Sequence, residues 1–410
     1  MFRTLKIVAA TAVLLLAGAL GAAHAADVTA DDTAKFLAGM MPSADSPLIA
    51  LTKDPAWQRH AKSFDSAFGQ LDQRQMSKVR AWSEANVSAP KPTMFYMFSG
   101  PDFLYANAFY PKATTYVLSA LEPPGSVPDL TKIPRSSVGY ALSNVEHSLG
   151  SIIHLSFFIT KHMKVDLHEG QVTGAVPLLY VFLARSGKTI KNVSTVAVDD
   201  KGTAYFAGEN PGANATRGVR IVFAGEDGVE KTWYSFSTDL SESGVRSSGF
   251  LKFCATLAPG NSLIKSASYL LHSGGFATVR DFILANSATI IQDDSGIPLG
   301  YYSAKKWRFF PFGRYAGPIA IFPGRYQQSY AELFRRAQPI DFGIGYRYRS
   351  HESNLLLSVR LPDDGSATTA DATPTTESLP PLASPKPKRP HKPKPGAPAP
   401  TASRGFLWFQ

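Results

Sequence analysis

Residues 93–122 read TMFYMFSGPDFLYANAFYPKATTYVLSALE, and the hydrophobic pattern of this segment changes several times along its length. Residues 93–98 are an almost wholly apolar run of strand length, and residues 99–102 contain the Gly and Pro that are typical of a turn. Residues 103–110 predict a short helix, and residues 114–121 predict a second strand. This order indicates a right-handed crossover between two parallel strands, both buried on their two faces.

Polar side chains follow each of these two predicted strands. Ser99 and Asp102 come after the first strand, and Glu122 comes after the second. Ligands in open α/β sheets bind beyond the carboxyl ends of the strands, so we expect these residues at one edge of the sheet. Asp102 also suits the N-cap of the helix that follows it.

The same segment superficially resembles the opening of a nucleotide-binding or methyltransferase sheet. Phosphate loops of that kind need several glycines, whereas only Gly100 is present, and Pro101 has no N–H to donate to a phosphate. The sequence therefore predicts no cofactor.

The block FSGPDFLYANAFYP at residues 98–111, followed by TYVLSALEP at residues 115–123, resembles a block in a family of uncharacterised secreted bacterial proteins. The resemblance extends weakly to residues 182–187 and 293–298. It implies that the folded part forms one unit shared by envelope proteins, and it names no activity.

The pattern on either side of this unit predicts further helices and strands. Asp54-Pro55 is typical of an N-cap and a first helical residue, and apolar spacings of three and four predict an amphipathic helix from there to Trp82, with a possible break. Helices are also predicted at residues 136–163, 176–185, 247–257, 262–271, 277–286 and 326–336. Strands are predicted at residues 190–198, 204–206, 219–224, 232–237, 288–292, 342–349 and 354–360, the first four as two hairpins. The fold class is therefore α/β, with a mixed sheet that contains a parallel βαβ unit, is covered by helices and precedes a disordered C-terminal tail.

The first 25 residues have the form of a secretory signal peptide. Arg3 and Lys6 precede an apolar run at residues 7–20, and Ala23-His24-Ala25 supplies a small-residue cleavage site. A retained anchor is the alternative, but the apolar run is short for a membrane span. We therefore expect cleavage after Ala25, a periplasmic or secreted protein, and no transmembrane span in the mature chain.

Residues 363–410 are rich in Pro, Lys, Ala, Thr and Ser and contain few large apolar residues. Such a composition predicts disorder, and the Pro/Lys run at residues 385–395 favours an extended polyproline II spacer. An apolar hexamer, GFLWFQ, stands at the end of the tail, and we expect it to attach to the envelope, to dock on the protein's own surface or to have no role. The predicted organisation is a signal peptide at 1–25, a helical segment at 26–90, an α/β domain at 91–362 and this tail.

The net charge of +10 is moderate once it is divided along the chain. The signal peptide holds two basic residues, and the tail holds six basic and four acidic ones, which leaves about +6 on the folded part. In an exported protein this excess either favours anionic envelope polymers or lipid headgroups over nucleic acid as partners, or serves only solubility. Cys254 is the only cysteine, so stability depends on a core, for which 44% hydrophobic residues are ample.

Three further sets of residues are candidates for binding. Asp293 and Asp294 follow a predicted strand and suit a sugar hydroxyl, a calcium ion or an ordinary turn. Arg314 lies in a segment, residues 305–326, where aromatic and basic residues alternate, as in a glycan groove or a packed loop. His147 and His154 are seven residues apart, without the i, i+3 or i, i+4 partner of a helical metal motif, so we predict no metal site.

These observations favour an exported envelope protein that binds an anionic or glycan ligand, with the cationic tail as a tether. The alternative is a periplasmic hydrolase in which Asp102, Glu122 and Asp293 meet at one sheet edge. Paired carboxylates can divide general acid and general base roles when their environments separate their pKa values.

Overall fold

A ten-stranded mixed sheet runs through the protein, whose structure is a computed structural model that describes residues 27–127, 129–158 and 173–362. The order of its strands is β4-β3-β5-β6-β2-β1-β7-β8-β10-β9. The strands are β1 (Thr93–Tyr96), β2 (Thr115–Ala120), β3 (Thr189–Val198), β4 (Ala204–Phe206), β5 (Thr216–Ala224), β6 (Glu230–Ser237), β7 (Gly260–Ile264), β8 (Ser287–Gln292), β9 (Trp307–Gly313) and β10 (Asn354–Arg360). The predicted signal peptide and tail lie outside the described residues.

The five central strands, β6-β2-β1-β7-β8, are parallel to one another. Antiparallel strands flank them, with β4, β3 and β5 on one side and β10 and β9 on the other. The predicted parallel pair, the two hairpins and the mixed α/β fold class are confirmed. Every residue of β1 and β7 is buried, as expected for parallel strands covered on both faces.

Helices cover the two faces of the sheet and form two large cores, and a third, smaller hydrophobic cluster surrounds the last helix. The helices are α1 (Ala30–Leu37), α2 (Pro55–Leu71), α3 (Ser77–Asn86), α4 (Phe103–Phe109), α5 (Arg135–Leu155), α6 (Val176–Arg185), α7 (Glu242–Ser247), α8 (Phe250–Thr256), α9 (Ala277–Asn286) and α10 (Gln328–Leu333). Along β1 the side chains alternate, so Met94 and Tyr96 pack in the core with α1 to α6, and Phe95 packs in the core with α7 to α9. Within the described ranges, no helix is both long enough and apolar enough to cross a membrane.

The long N-terminal helix begins where the sequence predicts and is interrupted once before it ends at Asn86. The Asp54 carboxylate accepts a hydrogen bond from the Ala56 N–H at 2.7 Å, which confirms the N-cap. A π-helical turn, Asp72–Met76, then separates α2 from α3. The helix predicted at 136–163 is shorter, because α5 ends at Leu155 with Ser156 in the left-handed region (φ +69°), and residues 159–163 lie outside the described residues.

Two predicted elements are wrong. The helix predicted at residues 262–271 is strand β7 followed by a turn, because five fully buried residues give no period from which to separate strand from helix. The strand predicted at residues 342–349 is a turn region held by the single bridge Ile344–Arg347. Gly343 there pairs through its N–H and C=O with the Gln75 side chain instead of a neighbouring strand. The sequence also missed β9, whose residues it assigned to the aromatic and basic segment.

Candidate functional site

A cleft of about 380 Å³, here called the edge cleft, lies at the carboxyl ends of the parallel strands. Its lining comes mainly from the residues that directly follow β1, β2, β6 and β7, because the carboxyl ends of parallel strands meet at one edge. Its polar lining residues are Ser99, Asp102, Ser119, Glu122, Thr238, Asp239, Lys265, Ser266 and Ser268. This is the position at which the sequence predicts a ligand.

The structure brings together three of the six candidate site residues. Ser99, Asp102 and Glu122 line the edge cleft. Asp293 lies behind the lining, where its Oδ2 accepts a hydrogen bond from the Ser266 N–H at 3.0 Å. Asp294 is also buried outside the lining, and its carboxylate accepts hydrogen bonds from the hydroxyl of Tyr269 and the side-chain amide of Asn354.

Arg314 lies elsewhere, exposed just beyond the end of the edge strand β9. In its segment the basic side chains Lys305, Lys306 and Arg308 are also exposed, whereas Trp307 and Phe312 are buried. The Phe312 ring packs edge-on against Trp82 at 5.1 Å between centroids. These rings therefore contribute to the core, and the cations stand apart from them at the surface.

A buried ion pair lies at the floor of the edge cleft. Lys265 Nζ is 3.0 Å from Asp102 Oδ2, and the two side chains are 2% and 1% exposed. The same Nζ donates to the Ser156 carbonyl and lies 4.0 Å from the centroid of the Tyr105 ring. The sequence missed Lys265 because it falls inside the wrongly predicted helix.

Asp102 also combines a structural role with this electrostatic one. Its Oδ1 accepts a hydrogen bond from the Tyr105 N–H at 3.1 Å, so it is the N-cap of α4, as predicted. Its Oδ2 accepts a second bond from the Tyr96 hydroxyl at 3.0 Å. Burial, together with the Asp102 charge, raises the pKa of Tyr96 well above its ordinary value, so this hydroxyl remains a donor.

The loop after β7 has an unusual backbone. Ser266, Ser268 and Tyr269 have φ values of +53°, +50° and +55°, in the left-handed region that side chains other than glycine rarely adopt. Such strain costs roughly 1–3 kcal/mol per residue, persists only where surrounding contacts enforce it, and is concentrated at functional sites. Ser266 Oγ is buried and hydrogen-bonds no protein group.

Side chains from two other segments hold this loop in place. Ser295 Oγ accepts a hydrogen bond from the Ala267 N–H at 2.8 Å. The Tyr346 hydroxyl donates to the Ser266 carbonyl at 3.0 Å and lies 2.9 Å from Ser268 Oγ. Together with the Asp293 contact, these bonds make the loop a rigid part of the cleft lining.

The buried carboxylates behind the loop are electrostatically strained. Burial, and then the neighbouring charge of Asp294, raise the pKa of Asp293 to about 7. Burial also raises the pKa of Asp294, against the hydrogen bonds from Tyr269 and Asn354. The pKa values of both acids are raised because the two carboxyl groups are buried and adjacent, and ionising both would place like charges side by side.

The walls of the edge cleft are aromatic. Phe98 and Phe276 pack edge to face with ring centroids 6.0 Å apart, and Phe157 and Tyr346 do the same at 5.0 Å. All four rings are half-buried, and Leu121 at the rim is 44% exposed. The cleft therefore offers apolar walls above a polar floor, which is the usual composition of a small-molecule site.

The formal charge of the edge cleft is negative. Among the lining residues that the structure describes, Asp102, Glu122 and Asp239 contribute three carboxylates against the one amine of Lys265. The Glu122 side chain is buried, at 4% exposed, whereas Asp239 is exposed. The Asp239 carboxylate accepts two hydrogen bonds from Ser241, one from its N–H and one from its hydroxyl. Asp239 escaped the sequence analysis because it follows a strand of a hairpin.

The histidines that the sequence analysis considered do not converge. His147 bonds the Ser143 carbonyl one turn earlier at 2.8 Å, and Glu146 pairs with His60 at 2.7 Å. Within residues 27–127, 129–158 and 173–362, no three His, Cys, Asp or Glu side chains lie close enough together to hold a metal ion.

Comparisons of the chain with protein-family models, with curated proteins and with solved structures give no match.

Proposed function

We propose that this protein is exported to the cell envelope and that its edge cleft binds a neutral glycan. One observation supports this proposal. Half-buried aromatic walls stand above a floor of hydroxyl and carboxylate groups whose formal charges sum to a negative value. It narrows the expectation of an anionic or glycan ligand to a glycan without charge at this site.

The carboxylates of the edge cleft favour a ligand without charge. A negatively charged group entering the edge cleft would face Glu122 and Asp239, while Lys265 is already paired with Asp102. Like charges in a partly desolvated site repel each other more strongly than they do in water. A sugar hydroxyl, in contrast, donates to carboxylates and accepts from hydroxyl groups.

The walls suit the apolar faces of sugar rings. Phe98 and Phe276 stand on one part of the lining, and Phe157 and Tyr346 on another. A pocket of about 380 Å³ is within the range of small-molecule sites, so it holds a short oligosaccharide segment rather than a polymer.

The test is binding of the mature chain, residues 26–410, to an array of neutral envelope oligosaccharides, followed by calorimetric titration of the best ligand. Phe276→Ala should weaken binding about tenfold, since it removes a wall ring. Phe206→Ala is the matched control, because Phe206 is 39% exposed on β4, outside the cleft lining. Binding of anionic oligosaccharides alone, or equal effects of the two variants, would refute the proposal.

The tail is proposed to add weak attachment to anionic polymers or lipid headgroups. Its six basic residues precede an apolar tip, and attachment through two weak contacts increases avidity without new contacts in the cleft. A variant ending at residue 362 should keep its oligosaccharide affinity and lose part of its retention on isolated envelope. Unchanged retention would remove the tether from the proposal.

A second candidate function is glycoside hydrolysis at the same cleft, as favoured by the convergence of Asp102 and Glu122 there. Asp102 is paired with Lys265 and caps α4, which leaves Glu122 as the candidate general acid. If the best ligand is slowly cleaved, Glu122→Gln should abolish turnover and preserve binding. If the ligand remains intact over days, the protein is a binding protein only.

A further inference from the structure

We propose that a second cleft, on the α2–α3 side of the protein, binds a phosphoryl group. This cleft, here called the basic cleft, also measures about 380 Å³ and is formed where the π-helical turn, the end of α5 and residues 341–351 meet. Its lining residues with charged or imidazole side chains are Arg74, Lys78, His154, Asp341, Arg349 and His351. The proposal is independent of the glycan site.

The π-helical turn builds one wall of the basic cleft. The extra residue in that turn places Gln75 in the interior, where its side chain bonds both backbone groups of Gly343 and the Tyr105 hydroxyl. Arg74, next to it, remains exposed at the cleft margin. Single π-helical turns inside α-helices occur frequently at functional sites.

The basic cleft has the opposite charge to the edge cleft. Among its described lining residues, Arg74, Lys78 and Arg349 provide three cations and Asp341 provides one carboxylate. Lys78 Nζ lies 3.3 Å from Asp341 Oδ2, which leaves the two guanidinium groups as the excess charge.

Both guanidinium groups retain N–H donors that could bind a ligand. Arg74 uses one Nη2 bond to the Ile153 carbonyl at 2.7 Å, and a guanidinium carries five donor hydrogens. Arg349 lies 3.8 Å from Glu352, an exposed pair that competes weakly with a ligand. Forked donors of this kind match the geometry of phosphate oxygens, so a phosphoryl group is the chemistry that this cleft favours.

The two clefts meet at one aromatic ring. Tyr105 lines the basic cleft, and Lys265, which lines the edge cleft, packs its Nζ against the ring of Tyr105. A phosphoryl group and a neutral sugar would therefore occupy adjacent sites of opposite formal charge.

The experiment is a calorimetric titration of the mature chain with inorganic pyrophosphate at low ionic strength. Arg74→Gln and Arg349→Gln should each weaken binding about fivefold or more, and added salt should weaken it further. The matched control is Arg217→Gln, because Arg217 is exposed on β5 and does not line the cleft. No pyrophosphate binding, or an equal loss with Arg217→Gln, would overturn the proposal.

The source of the phosphoryl group is tested with vesicles. Wild type and Arg74→Gln are sedimented with phosphatidylglycerol-containing vesicles, with the tail present in both chains so that its contribution cancels. A deficit of Arg74→Gln identifies a lipid headgroup as the ligand. Equal sedimentation, with pyrophosphate binding intact in the wild type, identifies a soluble phosphate compound.

Discussion

Lys265 Nζ and Asp102 Oδ2 lie 3.0 Å apart with both side chains almost wholly buried, which joins the end of β7 to the start of α4. Taking two charges out of water is costly, and a close pair recovers this cost only with further hydrogen bonds. Here the Tyr96 hydroxyl and the Tyr105 N–H donate to Asp102, and Lys265 Nζ donates to the Ser156 carbonyl. The pair therefore fixes the floor of the edge cleft.

Removing either partner of this pair should destabilise the protein strongly. Lys265→Met and Asp102→Asn are each expected to lower the free energy of unfolding by about 3–5 kcal/mol, because each leaves one buried charge uncompensated. The double variant should lose less than the sum of the two single losses. Urea unfolding of the four proteins measures this coupling, and additive losses would contradict a specific interaction between the two charges.

A pH dependence follows from the raised pKa of Asp293. The folded pKa is about 7 against an ordinary value of 3.8, so the native state retains a proton that the unfolded chain releases. Stability from this source is therefore present below about pH 4, falls as the pH rises towards 7 and is constant above. Between pH 4 and pH 7, wild type should lose about 2–4 kcal/mol relative to Asp293→Asn.

Other groups titrate in the same pH range, so the quantity to compare is the slope of the free energy of unfolding against pH in the wild type and in Asp293→Asn. Asp281→Asn serves as the control, because the Asp281 side chain is 72% exposed on α9. Its curve should run parallel to that of the wild type. If the Asp293→Asn curve is also parallel, Asp293 titrates normally and the strain assigned to the buried acids is wrong.

The position of the edge cleft could be predicted from the sequence, whereas its most unusual residues could not. A single βαβ unit was enough to place Ser99, Asp102 and Glu122 at one sheet edge, because local pattern and connection handedness determine that arrangement. Lys265 and Ser266 lie directly after β7, a strand of five residues that are all buried and that show no apolar/polar alternation from which to recognise it.

Positive φ values at serine and tyrosine also escape sequence analysis. Glycine is the usual marker of left-handed backbone, but the loop after β7 has none between Ser266 and Tyr269. Its conformation is enforced by Asp293, Ser295 and Tyr346, which are distant in the sequence. Tertiary contacts of this kind leave no local signal.

Gly345 should be essential for the position of Asp293. Its φ is +64°, and an added Cβ would overlap Asp293 Oδ2, the atom that holds the Ser266 N–H. Gly345→Ala should therefore cost about 3 kcal/mol or more, from backbone strain and from displacement of that carboxylate. Gly228→Ala, at φ +69° with open space around it, should cost only about 1–2 kcal/mol in the same urea experiment. Equal losses would show that the contact with Asp293 has no energetic weight.

Variants of Ser266 allow the contribution of the loop to stability to be measured apart from its proposed contribution to ligand binding. Because its Oγ hydrogen-bonds no protein group, Ser266→Ala should change the free energy of unfolding by less than about 0.5 kcal/mol. Ser266→Gly also relieves the left-handed strain and should stabilise the protein by about 0.5–1 kcal/mol.

Substitution of Ser266 should weaken ligand binding although it does not lower stability. If the hydroxyl meets a ligand in the edge cleft, both variants should bind the best oligosaccharide about tenfold more weakly while remaining as stable as the wild type or more so. Ser99→Ala is the informative comparison, because the Ser99 hydroxyl already bonds the Gly100 and Ser119 carbonyls, so its loss should lower stability instead. Unchanged affinity in both Ser266 variants would mean that the strained loop shapes the cleft without contacting the ligand.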